Sequence, residues 1–204
     1  MEGRLIVISA PSGAGKTTLV NALLERDDRL AVSVSHTTRR KREEEVDGED
    51  YFFVDPGTFA SMRDGDAFLE HAIVFGNAYG TAHDTVIRTL ADGQDVVLEI
   101  DWQGAAQVRR KFPGAISVFV LPPSIDVLLE RLNDRGQDGP EEIDRRWHQA
   151  ADDISHYDEF NYVVVNNDFD EAVGKLAGII DSERRGEKAR CECVTALVEH
   201  LLQR

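Results

Sequence analysis

An apolar run, Leu5-Ile6-Val7-Ile8, leads through Ser9 into Ala10-Pro11-Ser12-Gly13-Ala14-Gly15-Lys16-Thr17-Thr18. Four consecutive apolar residues suit a strand buried on both faces of a parallel sheet. Leu19, Val20, Leu23 and Leu24 then give the next segment a helical apolar face. The order is strand, glycine-rich loop, helix, so the loop ends at a helix N-terminus. There, backbone amides of residues 12 to 18 can converge on phosphate oxygens and the helix dipole favours an anion. Ser12, Gly13, Ala14, Gly15, Lys16, Thr17 and Thr18 are the candidate triphosphate-binding residues, with Lys16 reaching the outer phosphates and the Thr17 hydroxyl available to Mg2+. The general pattern opens on glycine where this chain has Ala10, a small departure that the flanking strand and helix outweigh.

A phosphate loop names a donor and leaves the acceptor open. With 204 residues, one domain with a full core and small inserted lobes is expected. Hydrophobic content of 42% and charged content of 30% are those of a soluble globular chain, and no apolar run is long enough to span a membrane. No signal peptide is read at Met1-Glu2-Gly3-Arg4, and the cytoplasm is the expected compartment. Cys191 and Cys193 stand two apart in an expected helix, where they do not face each other, so two free thiols are expected. A formal charge of -15 argues against a general nucleic-acid surface. Against that background Arg39-Arg40-Lys41-Arg42 stands out as a local anion site.

Further along, Ala31 to Ser35 reads as a short strand, and the next fifty residues hold most of the aromatics. Tyr51 to Val54 reads as strand, Asp55-Pro56 as a helix start, Asp64-Gly65-Asp66 as its stop, and Ala67 to Phe75 as strand before a turn at Gly76-Asn77. A mixed lobe inserted between strand and helix fits this stretch. From Thr81 the repeats resume, with Val86, Ile87 and Leu90 on one helical face. Strand Val96 to Asp101, helix Gln103 to Lys111 and strand Ile116 to Leu121 follow. Ser124 caps a helix carrying Leu128, Leu129 and Leu132. Gly136 to Pro140 breaks it before a second helix from Glu141, and Arg131, Arg135, Arg145 and Arg146 cluster on this hairpin. A last strand, Tyr162 to Val165, precedes Asp168 and Glu171, an Asp-type capping box, and two helices broken near Gly186 end the chain. The apolar residues of the last, Val194, Leu197, Val198 and Leu201, could cover the core or a second subunit.

Over essentially its whole length the chain resembles the bacterial guanylate kinases. The matching stretches are Ser9 to Thr17, SVSHTTR at 33 to 39, Gly48-Glu49-Asp50-Tyr51, Phe68-Leu69-Glu70-His71, Gly76-Asn77 with Tyr79-Gly80, Ile100 to Gly104, Leu121 to Ser124, and Arg135-Gly136. The resemblance implies an α/β fold, a P-loop NTPase-type parallel sheet flanked by helices. It places the core at about residues 1–34, 84–124 and 148–204, a GMP-binding lobe at about 35–83, and a small helical lid at about 125–147. It implies transfer of the γ-phosphoryl group of ATP to GMP, giving ADP and GDP, in purine nucleotide metabolism.

Residue by residue, the resemblance carries over Glu70 and Asp101 as carboxylates facing guanine N1–H and the 2-amino group, with Ser35 and Thr81 bonding the base from the side. Arg39 and Arg42, with Tyr51 and Tyr79, would hold the acceptor phosphate. Lys16, Arg39, Arg135 and Arg146 are the expected catalytic residues, and Arg131 and Arg135 would close over ATP. Thr17 and Glu99 would meet Mg2+, Glu99 standing where the family commonly has Asp. Lys41 and Glu44 replace the family's usual Pro and Gly beside Arg42. ATP and GMP are the expected partners, with no nucleic acid and no membrane, and monomer or homo-oligomer left open. Two alternatives stand beside this reading: a kinase for another nucleoside monophosphate or a ribose-phosphate, and a non-catalytic guanylate-kinase-like binding module.

Overall fold

The computed structural model describes residues 3–133, 140–189 and 193–203, the side chains of 132–133 and 140–146 excepted. A five-stranded sheet runs in the order β2 (Leu30–Val32), β7 (Asp95–Glu99), β1 (Leu5–Ser9), β8 (Ile116–Leu121), β9 (Tyr162–Val165). The β2–β7 and β8–β9 pairs are parallel. Every residue of β1 and β8 is buried, as runs of Val, Ile and Leu require in a sheet covered on both faces. Six strand-linking or flanking helices carry the rest of the expected pattern: α1 (Lys16–Arg26), α3 (His83–Ala91), α4 (Trp102–Lys111), α5 (Ile125–Asn133), α6 (Pro140–Ser155) and α7 (Phe169–Arg184). This is the α/β architecture expected.

The chain divides into two compact units, one of Met1–Ile6 with Arg29–Ala115, the other of Val7–Asp28 with Ile116–Arg204. In the second, α1 buries Leu19, Val20 and Leu23, and α7 buries Val173, Leu176 and Ile180. Arg26 pairs with Asp170 at 3.0 Å, and Arg184 with Asp27. Asp168 caps α7 by accepting from the Glu171 amide at 2.9 Å, and Ser124 accepts from the Val127 amide at 3.2 Å at the start of α5. Val194, Val198 and Leu201, around the last helix α8 (Thr195–Leu201), are buried within the chain, and Leu197 is half-buried.

The first unit also holds a mixed sheet in the order β4 (Phe52–Phe53), β3 (His36–Thr37), β6 (Asn77–Ala82), β5 (Phe68–Val74), with α2 (Pro56–Asp64) beside β5. Asp55 caps α2 through the amides of Gly57 and Thr58 at 2.9 and 3.0 Å. Three readings are corrected here. Ala31 to Ser35 is not one strand. The Ser33 amide still reaches Val97 in the parallel sheet at 3.0 Å, while the Ser35 carbonyl already accepts from Phe52 in the mixed one at 2.9 Å, so the run is shared between two sheets. The turn after β5 is Phe75-Gly76, with φ of 49° and 75°, and Asn77 already belongs to β6. β6 itself was not anticipated, because Asn77-Ala78-Tyr79-Gly80 lacks the apolar alternation that marks a strand.

Two smaller differences concern the termini of elements. β4 is two residues long where four were expected. Cys193, a free and exposed thiol, precedes α8 and does not lie in a helix; Cys191 falls outside the described residues, as does the break expected at Gly136 to Pro140 except for Pro140 itself, which opens α6. No described helix is long and apolar enough to cross a membrane.

Candidate active site

The loop between β1 and α1 carries Gly13 and Gly15 at φ of 88° and 87°. Both angles are left-handed, where a Cβ is strained, so both glycines are required by the backbone. Gly15 is the residue from which α1 starts, and Lys16, Thr17 and Thr18 form its first turn. Thr17 and Thr18 are exposed, and the turn's amides lie at the positive end of the helix dipole. The loop is closed by Ala14 N–H on the Pro11 carbonyl at 3.2 Å. The Ala14 carbonyl in turn accepts from Asn166 Nδ2 at 2.8 Å and from Arg131 Nη1 at 3.5 Å.

Asn166 was missed by the sequence reading. It is 5% exposed, its own amide donates to the Leu121 carbonyl at 2.8 Å, and a Cβ on Gly15 would stand 2.7 Å from its Nδ2. It therefore fixes the loop from behind. A polar residue directly after an apolar strand, Tyr162 to Val165, was the signal available. Arg131, expected to serve the triphosphate, is thus placed at the loop. Arg135 lies outside the described residues, and Arg146 falls on α6 with its side chain undescribed.

In the other unit four predicted residues converge. Glu70, on β5, is 3% exposed, and its Oε1 accepts from Thr81 Oγ1 on β6 at 2.6 Å. Ser35 Oγ stands 3.5 Å from the same Thr81 hydroxyl. Asp101 is the residue from which α4 starts, and its Oδ1 accepts from the Gly104 amide at 2.8 Å. A Cβ on Gly104 would meet Glu70 Oε2 at 2.3 Å and Asp101 Oδ1 at 3.3 Å, so only glycine lets both carboxylates approach this turn of helix. Glu70 faces Thr81 because β5 carries a bulge: Phe68 pairs with Ala82 and Glu70 with Thr81, leaving Leu69 as the extra residue. Burial pushes the Glu70 carboxyl up from 4.5 to about 7; the Asp101 charge adds to the rise, and the Thr81 hydrogen bond opposes it. The arrangement is a buried acceptor that feels the charge of a second, half-buried carboxylate.

Arg39 is held as a fork. Its Nη1 and Nη2 donate to the two carboxylate oxygens of Glu45 at 3.0 and 2.7 Å, and its guanidinium lies 5.3 Å from the centroid of the Tyr51 ring. Tyr51 in turn meets Tyr79 edge-on at 5.9 Å. The Arg39 hydrogen bonds and charge hold the Glu45 carboxyl below the usual range, and burial raises the Tyr51 phenol. Arg42 is more loosely held: its side chain is 66% exposed and its Nη1 is 3.9 Å from Glu45. Glu45 also accepts from the Arg42 amide at 2.7 Å, and its carbonyl accepts from Lys41 Nζ at 2.7 Å. Glu45 was not anticipated, since it is one of three consecutive glutamates and spacing does not single it out.

Oxygen donors for a hard cation are present within each unit separately: the exposed Thr17 hydroxyl in the first turn of α1, and the half-buried Glu99 carboxylate at the C-terminal end of β7. Each is a kind of oxygen donor that a hard divalent cation accepts. Among the described residues no group of three or more His, Cys, Asp or Glu could enclose a metal alone.

Comparison with known proteins covers most of the chain. The guanylate kinase family model matches residues 2–183. The chain is 54% identical over 184 residues to a guanylate kinase from Alkalilimnicola ehrlichii, covering 90% of this chain and 91% of that one. It is 50% identical over 203 residues to the Escherichia coli K12 guanylate kinase, covering 98% of each. Among solved structures, a guanylate kinase from Anaplasma phagocytophilum matches with a TM-score of 0.73 at 34% identity, covering 89% of this chain and 86% of that one.

Proposed function

The chain belongs to the guanylate kinase family, and on that premise we propose that it transfers the γ-phosphoryl group of ATP to GMP, giving ADP and GDP. The observation that carries the choice of acceptor is the buried Glu70 carboxylate beside Asp101. Guanine presents N1–H and a 2-amino group as adjacent donors, whereas adenine presents an acceptor at N1. An ionised Glu70 rewards the first and repels the second. Ser35 and Thr81 approach the same base from the side, Thr81 already holding Glu70 in place.

The acceptor phosphate is a dianion, and Arg39 offers it those donors of its planar fork that Glu45 leaves open. Glu45 keeps that fork oriented, Tyr51 stacks against it, and Tyr79 and Arg42 supply further donors. At the other substrate, Ser12 to Thr18 wrap the ATP phosphates and Lys16 bridges the outer two. Arg131, Arg135 and Arg146 neutralise charge on the transferring group. Thr17 and Glu99 are the residues that would hold Mg2+, which when bound neutralises phosphate charge. Little covalent chemistry is asked of the protein; in-line placement of the two substrates and exclusion of water do the work. In this reading residues 35–83 form the GMP lobe and 125–147 the lid, and substrate binding closes both.

The test is ADP formation from Mg-ATP with GMP, AMP, CMP, UMP and dTMP offered in turn, using Lys16→Ala as the blank. Turnover with GMP alone is expected. Turnover with another monophosphate would transfer the assignment to that acceptor, and none with any would favour a binding module.

A further inference from the structure

Glu70 owes its direction to a β-bulge, and a bulge leaves one residue out of the ladder. The extra residue is Leu69, on β5, the outermost strand of the mixed sheet. Its carbonyl accepts from Lys111 Nζ at 2.5 Å. One residue beyond Glu70, the His71 amide donates to Gln107 Oε1 at 3.2 Å, and the His71 carbonyl accepts from Gln107 Nε2 at 2.6 Å. Gln107 and Lys111 stand four residues apart, on one face of α4. The primary amide of Gln107 thus offers β5 one donor and one acceptor, as a neighbouring strand would, while Lys111 takes the carbonyl that the bulge exposes. Both sides of Glu70 along the chain are thereby tied to the helix whose first turn carries Asp101 and Gly104.

We propose that Lys111, with Gln107 beside it, is a positioning residue for Glu70: it fixes the bulge that aims the carboxylate, and so sets affinity for the acceptor base. The proposal rests on the reading of Glu70 as the residue that meets guanine. An exposed lysine and a glutamine at the end of a helix would otherwise be exchangeable surface residues. Three of their bonds go to backbone atoms of the two residues flanking one buried side chain, which makes them specific. A displacement of Glu70 by a fraction of an ångström weakens its bonds to the base without touching the phosphate-transfer groups.

The test compares Lys111→Met, Lys111→Arg and Gln107→Leu with wild type in the full chain. Lys111→Met is expected to raise KM for GMP about tenfold with kcat within about twofold. It is also expected to speed amide hydrogen exchange at Glu70 and His71 in the nucleotide-free protein. Lys111→Arg, which keeps the donor, is expected to restore most of both; Gln107→Leu, which removes the acceptor of the His71 amide, is expected to speed exchange at His71 most and to raise KM for GMP less than Lys111→Met. An unchanged KM for GMP in Lys111→Met overturns the proposal. Glu70→Gln in the same assay tests the underlying reading: if its KM for GMP stays at the wild-type value, Glu70 does not read the base. The exchange at Glu70 and His71 in Lys111→Met then decides the clamp alone, faster exchange upholding it and unchanged exchange refuting it.

Discussion

The phosphate loop and the Glu70 pocket solve the problem of recognition in opposite ways. Residues 10 to 18 are contiguous, and their work is done by main-chain geometry: two left-handed glycines, the first turn of a helix, and one lysine. In the proposed reading such a site is insensitive to which nucleotide is brought, because phosphates are all that it would touch. Glu70, Thr81, Ser35 and Asp101 come from β5, β6, the segment before β3 and the start of α4, and in the proposed reading their work is done by side-chain polar atoms, those of Glu70 and Thr81 buried. Such a site discriminates, because a buried acceptor facing the wrong partner is left unpaired. On the proposed assignment, power is local in the sequence and specificity is distributed.

That contrast is tested most strongly at Lys16. Lys16→Ala should lower kcat by about 10³-fold or more, through loss of charge stabilisation at the transferring group. GMP affinity, measured by calorimetry without ATP, should stay within about twofold. A large loss of GMP affinity would show that the two sites are not separable.

The converse variant is Glu70→Gln. KM for GMP should rise on the order of 10²-fold, because an ionised acceptor is replaced by an amide that presents a donor to the base. Wild-type KM should itself worsen as pH falls below about 7, where Glu70 takes up a proton. Stability should run the other way. Above pH 4.5 the unfolded chain has lost this proton, whereas the folded chain keeps it to about 7, so folding is weakened as pH rises through that window. The loss is at most about 3 kcal/mol, and denaturant titrations from pH 5 to 8 should show it in wild type and not in Glu70→Gln. Equal pH slopes would remove Glu70 as the responsible group.

Legibility from sequence follows the same division. The loop was readable because strand, glycines, lysine and helix are adjacent, and the structure puts Gly13 and Gly15 in the conformations that glycine serves. The parallel strands were readable because buried runs such as Ile116 to Leu121 carry a strong local signal. β6 was not: Tyr79 and Thr81 sit on a strand held by its two neighbours, its burial coming from partners and not from its own apolar content. Glu70 could be singled out only through resemblance, since an acid within Phe68-Leu69-Glu70-His71 reads as a surface residue until the bulge and the Thr81 contact are known. Glu45 and Asn166 act on neighbouring groups already chosen for function, and neither falls at a spacing that marks it.

Gly104→Ala sharpens the comparison without altering any polar atom. The new methyl would stand 2.3 Å from Glu70 Oε2, so the carboxylate must move. An increase of about tenfold in KM for GMP is expected, with kcat little changed, in steady-state assays. The contrasting glycine is Gly15, where alanine would strain a left-handed φ of 87° and press on Asn166; there kcat and ATP affinity should suffer and GMP affinity should not.

The smallest effect is expected at Thr81, and it isolates one hydrogen bond. Thr81→Val keeps the shape of a fully buried side chain but removes the hydroxyl that donates to Glu70 Oε1 at 2.6 Å. That bond favours the charged carboxylate, so its loss should raise the Glu70 pKa further, and KM for GMP at pH 7 should rise about fivefold. Because the cause is protonation, the deficit should shrink as pH is raised, which a loss of packing would not do. Thr81→Ser, retaining the hydroxyl, should behave almost as wild type at every pH. If valine and serine variants are equally impaired and their deficits are flat with pH, Thr81 contributes shape alone, and the discriminating power of the pocket rests on Glu70 and Asp101 without it.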